Sequence, residues 1–242
     1  MRNLELVIFD MAGTTVDDNG FVARCFRDAI GAAGVQVSNT QVNEVMGWSK
    51  PAAIQQLLRS NAAPETDCEM ATKVAMIHDD FVARLTSHYR EGQGVREMPG
   101  CRNMMRQLRR NGIRVGINTG FNRQVAQVLI DRFGWETAGL VDGSVTSDEV
   151  ERGRPAPDMI QHLMARFDIA DPVRVAKVGD TPVDIDEGHA AGCGWVVAVT
   201  FGDHSAEALA SCRPTCVVDS FEAMFRVFEL DLNRGTEQQI EL

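Results

Sequence analysis

Residues 6–17, LVIFDMAGTTVD, constrain the fold of this 242-residue chain more than any other stretch. Four apolar residues, Leu6 to Phe9, run straight into Asp10, and the small residues Ala12, Gly13, Thr14 and Thr15 follow at once. A short apolar run bounded by a tight turn reads as a buried strand that delivers a carboxylate to a loop. The loop leaving a central parallel strand is where α/β proteins place ligand sites, which makes Asp10 a candidate nucleophile or metal ligand. Gly13 permits backbone conformations that other residues resist, and the small neighbours let amides approach a bound anion. A strand that merely ends in a capping aspartate fits the same residues, so this stretch leaves both readings open.

The rest of the chain supplies the context. Phe21 to Ala33 carries Phe21, Val22, Cys25, Phe26, Ala29 and Ile30 at helical spacing, and Gly31 and Gly34 close it. From Val35 to Arg90 the pattern stays helical, with breaks at MGWSKP (46–51) and NAAPET (61–66) and no strand-like alternation. This predicts an all-helical cap domain over residues 20–94, spliced into the loop after the first strand, with 1–19 and 95–242 forming the core. Asp17 to Gly20 and Gly92 to Pro99 are the expected hinges.

Beyond Gly100 the rhythm changes. A helix from Gly100 to Arg110, a strand at RVGIN (114–118) and a helix through Phe133 are followed by a helix near Asp158 to Phe167. A strand from Arg174 to Val178, a helix through Ala191, strands at Trp195 to Val199 and Cys216 to Val218, and a closing helix complete the series. Strands alternating with helices predict an α/β fold, a doubly wound parallel sheet. The polar tail, Asn233 to Leu242, reads as frayed.

Composition narrows the function. No apolar stretch approaches the roughly 20 residues of a membrane helix, and the chain opens directly in a strand, without a signal peptide. Six cysteines show no CxxC pair or regular framework. Together these predict a cytoplasmic protein with reduced thiols. A net charge of −10 argues against nucleic-acid partners, which need a basic surface. It leaves room for a small phosphorylated substrate, which needs only local positive charge. Apolar positions such as Ile54, Leu57 and Leu58 serve either an internal cap core or the interface of a homodimer.

Four groups fall in order along the predicted strand ends: Asp10; Thr119 with Gly120; Arg154 in GRPAPD; and Asp180 with Asp184 in GDTPVD. Taken singly, Thr119 fits a strand-end hydroxyl, Arg154 a solvated charge, and GDTPVD a turn with a capped helix. Taken as a set they suit phosphoryl transfer, where positioning and charge stabilisation do most of the work. Asp10 would attack phosphorus, Thr119 and the Gly120 amide would hold phosphate oxygens, and the Arg154 fork would match an oxyanion. Asp180 and Asp184, four apart at a helix start, would join Asp10 in a hard oxygen site for Mg2+. A phosphate or metal binder without catalysis is the competing class, and an Asp10→Asn variant with intact function would identify it.

The ordered set resembles the haloacid dehalogenase superfamily of hydrolases over essentially the whole chain. DMAGTTVD is similar to its nucleophile motif, NTG to its threonine motif, GRPAPD to its basic motif and VGDTPVD to its metal motif, with a helical cap after the first. DxAGTT, the MGxxK element (Met46, Gly47, Lys50) and the arginine of the basic motif resemble the phosphonoacetaldehyde hydrolase family. That resemblance implies Asp10 as nucleophile, the Ala12 carbonyl and Asp180 as magnesium ligands, Asp184 as their support, and Thr119, Gly120 and Arg154 as phosphate holders.

Two positions separate candidate reactions. Phosphatases of this superfamily carry a second aspartate two residues after the nucleophile as general acid and base; here Ala12 stands there. Losing such a group typically costs about 10²- to 10⁴-fold in rate. A phosphonate aldehyde avoids the need, because a lysine imine accepts the electrons of the breaking carbon–phosphorus bond, and Lys50 matches the family's Schiff-base lysine. Such an amine must be neutral, so burial or a nearby cation must lower its pKa from roughly 10.4. Met46 and Trp48 are the expected apolar wall, and Arg154 the expected cation. A cap-surface lysine ahead of a helix with Pro51 at its start is the plain alternative. The family's usual histidine three residues later is Ala53 here, and the sequence puts neither His78 nor His88 at the site. The alternative activity is a phosphatase acting on a small phosphoester such as phosphoglycolate, with Lys50 only binding substrate.

Overall fold

The computed structural model describes residues 4–63, 66–202 and 204–230. The tail expected to fray and residues 64–65 of the NAAPET break lie outside them. The chain opens with β1 (Leu6–Phe9) and β2 (Val16–Asp17), then α1 (Phe21–Ala32), α2 (Asn39–Glu44), α3 (Lys50–Asn61) and α4 (Asp67–Glu91). It returns through β3 (Arg96–Glu97) to α5 (Cys101–Arg110), β4 (Arg114–Thr119), α6 (Arg123–Phe133), β5 (Gly143–Thr146) and α7 (Asp158–Arg166). The last elements are β6 (Val175–Gly179), α8 (Pro182–Ala190), β7 (Trp195–Val199), α9 (Ala206–Ser211), β8 (Cys216–Val218) and α10 (Phe221–Val227).

β1 lies inside a six-stranded parallel sheet of order β5-β4-β1-β6-β7-β8. Its side chains alternate between two cores. Val7 and Phe9 join Met104, Leu108, Val125, Leu129, Phe221 and Met224 of α5, α6 and α10. Leu6 and Ile8 pack with Met159, Ile160 and Leu163 of α7. A strand buried on both faces has no polar side to show, and each of these large side chains contributes roughly 1.5–3 kcal/mol by leaving water. The fold is therefore the expected α/β arrangement with helices on both faces. The register pairs Phe9 with Ile117 and with Val178, so Asp10, Asn118 and Gly179 emerge together at the carboxyl edge.

Helices α1 to α4 fill the interval between β2 and β3 and pack on one another through Phe26, Ile54, Leu58, Ile77, Phe81 and Leu85. Local signals start them. Ser38 with Gln41 and Thr66 with Glu69 form capping boxes at α2 and α4. Asp18 accepts from the Phe21 and Val22 amides at 3.2 Å to open α1.

Four elements escape the sequence pattern. β5 reads GSVT, with Val145 its one apolar residue, and exists because it pairs with β4 in the register Thr119 to Thr146. α9, AEALAS, buries only Leu209. β2 and β3 pair antiparallel, Val16 with Glu97 and Asp17 with Arg96, at the segments the sequence marks as hinges. These connections are further tied down: the buried Tyr89 hydroxyl donates to Asp18 Oδ2 at 2.8 Å, and Arg132 of α6 donates to the carbonyls of Tyr89 (2.7 Å) and Gly92 (3.0 Å). Among the described residues no helix is long and apolar enough to cross a membrane, and the six cysteines are free thiols.

Candidate active site

The carboxyl edge of the sheet gathers the chemistry. Asp10 follows β1 with its amide fixed to the Val178 carbonyl at 3.0 Å. It shares a cavity of about 40 Å³ with Ala12, Met46, Gly47, Lys50, Thr119, Gly120, Phe121 and Asp180. Eight residues named from the sequence therefore line one small chamber: Asp10, Ala12, Met46, Gly47, Lys50, Thr119, Gly120 and Asp180. Thr119 ends β4 and Gly120 follows it, and the loop 46–49 reaches across to them so closely that a Cβ on Gly120 would stand 2.5 Å from the Trp48 carbonyl oxygen. Gly47, at φ 83°, touches Thr181 and Val183 in the same way.

Arg154 differs in placement from its sequence expectation. The sequence expects it to face phosphate at a strand end; it lies instead in the loop after β5, buried, and absent from the cavity wall. Its Nη1 donates to Asp10 Oδ1 at 2.6 Å and lies 2.9 Å from Asp184 Oδ1. Nε donates to Glu187 Oε2 at 3.0 Å, and Nη2 donates to both the carbonyl and the Oδ1 of Asn118 at 2.7 Å. Every guanidinium nitrogen has an acceptor within the protein, and one of these is the nucleophile candidate Asp10. Three carboxylates around it outweigh the opposing effect of burial and keep it charged.

The three aspartates named as a metal set do converge, with carboxylate oxygens within 4.8 Å of one another. Their electrostatics differ. Burial raises the pKa of Asp10, with Arg154 opposing. Burial also pushes Asp180 well up, reinforced by the negative charge of Asp10 and Asp184. Asp184, though equally buried, is held below the ordinary carboxylate range by Arg154 and Lys177. Its Oδ1 lies 2.9 Å from Lys177 Nζ, and its Oδ2 accepts from the Thr181 hydroxyl at 2.5 Å and, in the capping box of α8, from the Thr181 amide at 3.2 Å. Asp184 is thus already paired with two protein cations, whereas Asp180 Oδ1 accepts from the Thr14 hydroxyl at 2.8 Å. Gly13 and Gly202 clear space at Asp180 Oδ2, where a Cβ on either would collide. A crowded carboxylate pair with glycines cleared around it fits a divalent cation, which would relieve the excess negative charge.

Lys50, in the first turn of α3, is 4 % exposed, not on the cap surface. Its Nζ sits 5.6 Å above the ring of Phe26 and 5.7 Å from that of Phe121, and donates to the Trp48 carbonyl at 3.5 Å. Burial drives its pKa down to about 8, against the pull of Asp10 and with help from Arg154. The expected direction holds, but the wall is different. Phe26 and Phe121 supply the rings, Met46 and Gly47 line the chamber, and Trp48 contributes its backbone without joining the lining. His88 stacks on Phe21 at 3.5 Å and His78 is half-buried on α4; the histidine on the cavity wall is His204, in the loop after β7.

Sequence reasoning missed Asn118, Lys177, Glu187, His204, Phe26 and Phe121. Two left a signal. Lys177 is a charge inside an otherwise apolar strand, VAKVG, and Glu187 follows Asp184 by three residues on one face of α8.

A doubly wound sheet whose carboxyl edge presents a gripped aspartate, a second carboxylate fit for a metal and a chamber-facing threonine has the parts of a hydrolase active site. The family profile of haloacid dehalogenase-like hydrolases matches residues 4–192, and the chain belongs to that family. Phosphonoacetaldehyde hydrolase of Latilactobacillus sakei is 30% identical over 79% of this chain and 74% of its own length. The enzyme of that name from Bordetella pertussis is 32% identical over 84% of this chain and 75% of its own. The crystal structure of a phosphonoacetaldehyde hydrolase-like protein from Oleispira antarctica superposes with a TM-score of 0.78 at 22% identity, covering 93% of this chain and 91% of that one.

Proposed function

We propose that this hydrolase cleaves the carbon–phosphorus bond of phosphonoacetaldehyde, or a close analogue, to give acetaldehyde and phosphate. The observation that carries the reading is Lys50: a buried amine with its pKa lowered to about 8, lining the same chamber as Asp10. The neutral amine adds to the aldehyde carbon and water leaves, giving a protonated imine. A carboxylate oxygen of Asp10 attacks phosphorus, and the electrons of the breaking carbon–phosphorus bond flow into the iminium to form an enamine. Protonation at carbon and hydrolysis of the imine release acetaldehyde and free Lys50; a second water releases phosphate from Asp10. The leaving carbon needs no proton while the bond breaks, which suits a chamber with Ala12 where an acid would otherwise stand, and counts against the phosphoester alternative.

Asp10 and Asp180, with the Ala12 carbonyl, would hold magnesium, and Asp184 would support them from behind. When bound, the ion offsets the charge of the carboxylates and of the phosphoryl oxygens. Thr119 and Gly120 would hold the phosphoryl oxygens, and a chamber of about 40 Å³ suits a substrate of few atoms. Residues 20–94 would act as a cap, with Lys50 and the loop 46–49 carried onto the core to exclude water. Borohydride added with phosphonoacetaldehyde should fix a substrate-derived mass on Lys50 and inactivate the enzyme. No substrate-dependent adduct at Lys50 would end the imine mechanism.

A further inference from the structure

Behind Asp10 lies a second group of polar residues that the reaction above does not use. Asn118, Lys177 and Glu187 are buried, at 0% exposure each, between β4, β6 and α8. Asn118 Nδ2 donates to Glu187 Oε1 at 2.8 Å, while Lys177 Nζ donates to Asn118 Oδ1 at 2.6 Å and lies 3.4 Å from Glu187 Oε2. Burying such a set does not by itself stabilise a fold, because the desolvation cost of the ions rivals their attraction. Its geometry has a direction, however. Glu187 takes the Nε of Arg154, Asn118 takes Nη2 through both oxygens, and Lys177 balances the carboxylates that would otherwise pull the guanidinium aside. That leaves Nη1 between two carboxylates, donating to Asp10 Oδ1 at 2.6 Å with Asp184 Oδ1 2.9 Å away.

We infer that Glu187, Asn118 and Lys177 are positioning residues that cage the Arg154 guanidinium so that a single nitrogen orients the Asp10 carboxylate for attack on phosphorus. An arginine side chain has many rotamers, and a fork pinned on its far edges delivers its charge without reorganising during the reaction. The inference takes from the proposed function only that Asp10 accepts the phosphoryl group, and it is indifferent to the substrate.

A double-mutant cycle on beryllofluoride binding tests it, because with magnesium that anion mimics a phosphoryl group on an aspartate and requires no turnover. Wild type, Glu187→Gln, Arg154→Lys and the double variant are titrated by fluorine NMR. Glu187→Gln should weaken binding about tenfold in the wild-type background and less than twofold once Arg154 is lysine, since its effect passes through the guanidinium. Equal losses in both backgrounds, or no loss in either, would overturn the cage. If Glu187→Gln does not fold, the neutral Asn118→Ala carries the same cycle with the same expected outcomes. Wild type that binds no beryllofluoride would instead remove Asp10 as acceptor and take the cage with it.

Discussion

Replacing Lys50 by methionine should make the protein more stable near neutral pH while abolishing imine chemistry. The amine's pKa falls from 10.5 to about 8 on folding. Each unit corresponds to about 1.4 kcal/mol, so holding this lysine protonated in the folded state costs about 3 kcal/mol relative to the unfolded chain. The sign follows from proton counting. Between the folded value near 8 and the unfolded value of 10.5 the unfolded chain binds more protons, so stability rises with pH across that window and the penalty is present in full below it. Methionine keeps an unbranched apolar shape and removes the charge. It also loses the attraction to the Phe26 and Phe121 rings, about 1 kcal/mol in all. A net gain of about 2 kcal/mol raises the melting temperature of a chain this size by roughly 4–8 °C. Thermal melts near pH 7 and near pH 10, run beside a phosphate-release assay, read both effects. The gain should shrink at the higher pH. In wild type, turnover limited by imine formation should climb about tenfold per unit below pH 8 and level off above it. A Lys50→Met protein that melts lower than wild type at pH 7, or whose gain ignores pH, would refute a desolvated amine at this position.

Other expectations concern the chamber and its ties. Gly120→Ala should keep the fold yet lower turnover at least about tenfold, because the new Cβ, 2.5 Å from the Trp48 oxygen, pushes away the loop that carries Lys50; borohydride trapping unchanged from wild type would contradict this. Ala12→Asp should raise hydrolysis of a phosphoester with a poor leaving group, such as phosphoglycolate, by about 10²; a flat rate would show that the missing acid is not what bars phosphoesters. Tyr89→Phe leaves the buried Asp18 carboxylate short of one donor, which should cost about 1–3 kcal/mol, read as a fall in melting temperature with urea unfolding as a check; no loss would mean that the tie between the two connections is idle.

The sequence by itself determined the sheet and the identity of most chamber residues. An apolar run such as Leu6 to Phe9 has no polar face, so only a sheet covered on both sides can hold it, and the side chains at the ends of such strands must share an edge. Asp10, Thr119 and Asp180 followed from that constraint alone, and Lys50 from a local pattern that resembles a known family. Tertiary structure decided what those residues touch. β5 has too few apolar residues to announce itself and forms because β4 offers it an edge, which in turn sets the loop carrying Arg154. From the sequence Arg154 is a free cation; in the fold, Glu187, Asn118 and Asp184 arrive from α8 and β4 to meet its nitrogens and hold it against Asp10. Lys50 likewise owes its lowered pKa to burial beside Arg154, in a chamber that closes only when residues far apart in the chain meet. Strand pattern is written in neighbours one or two residues away, whereas hydrogen-bond partners and desolvation are set by groups that meet only when the chain has closed on itself.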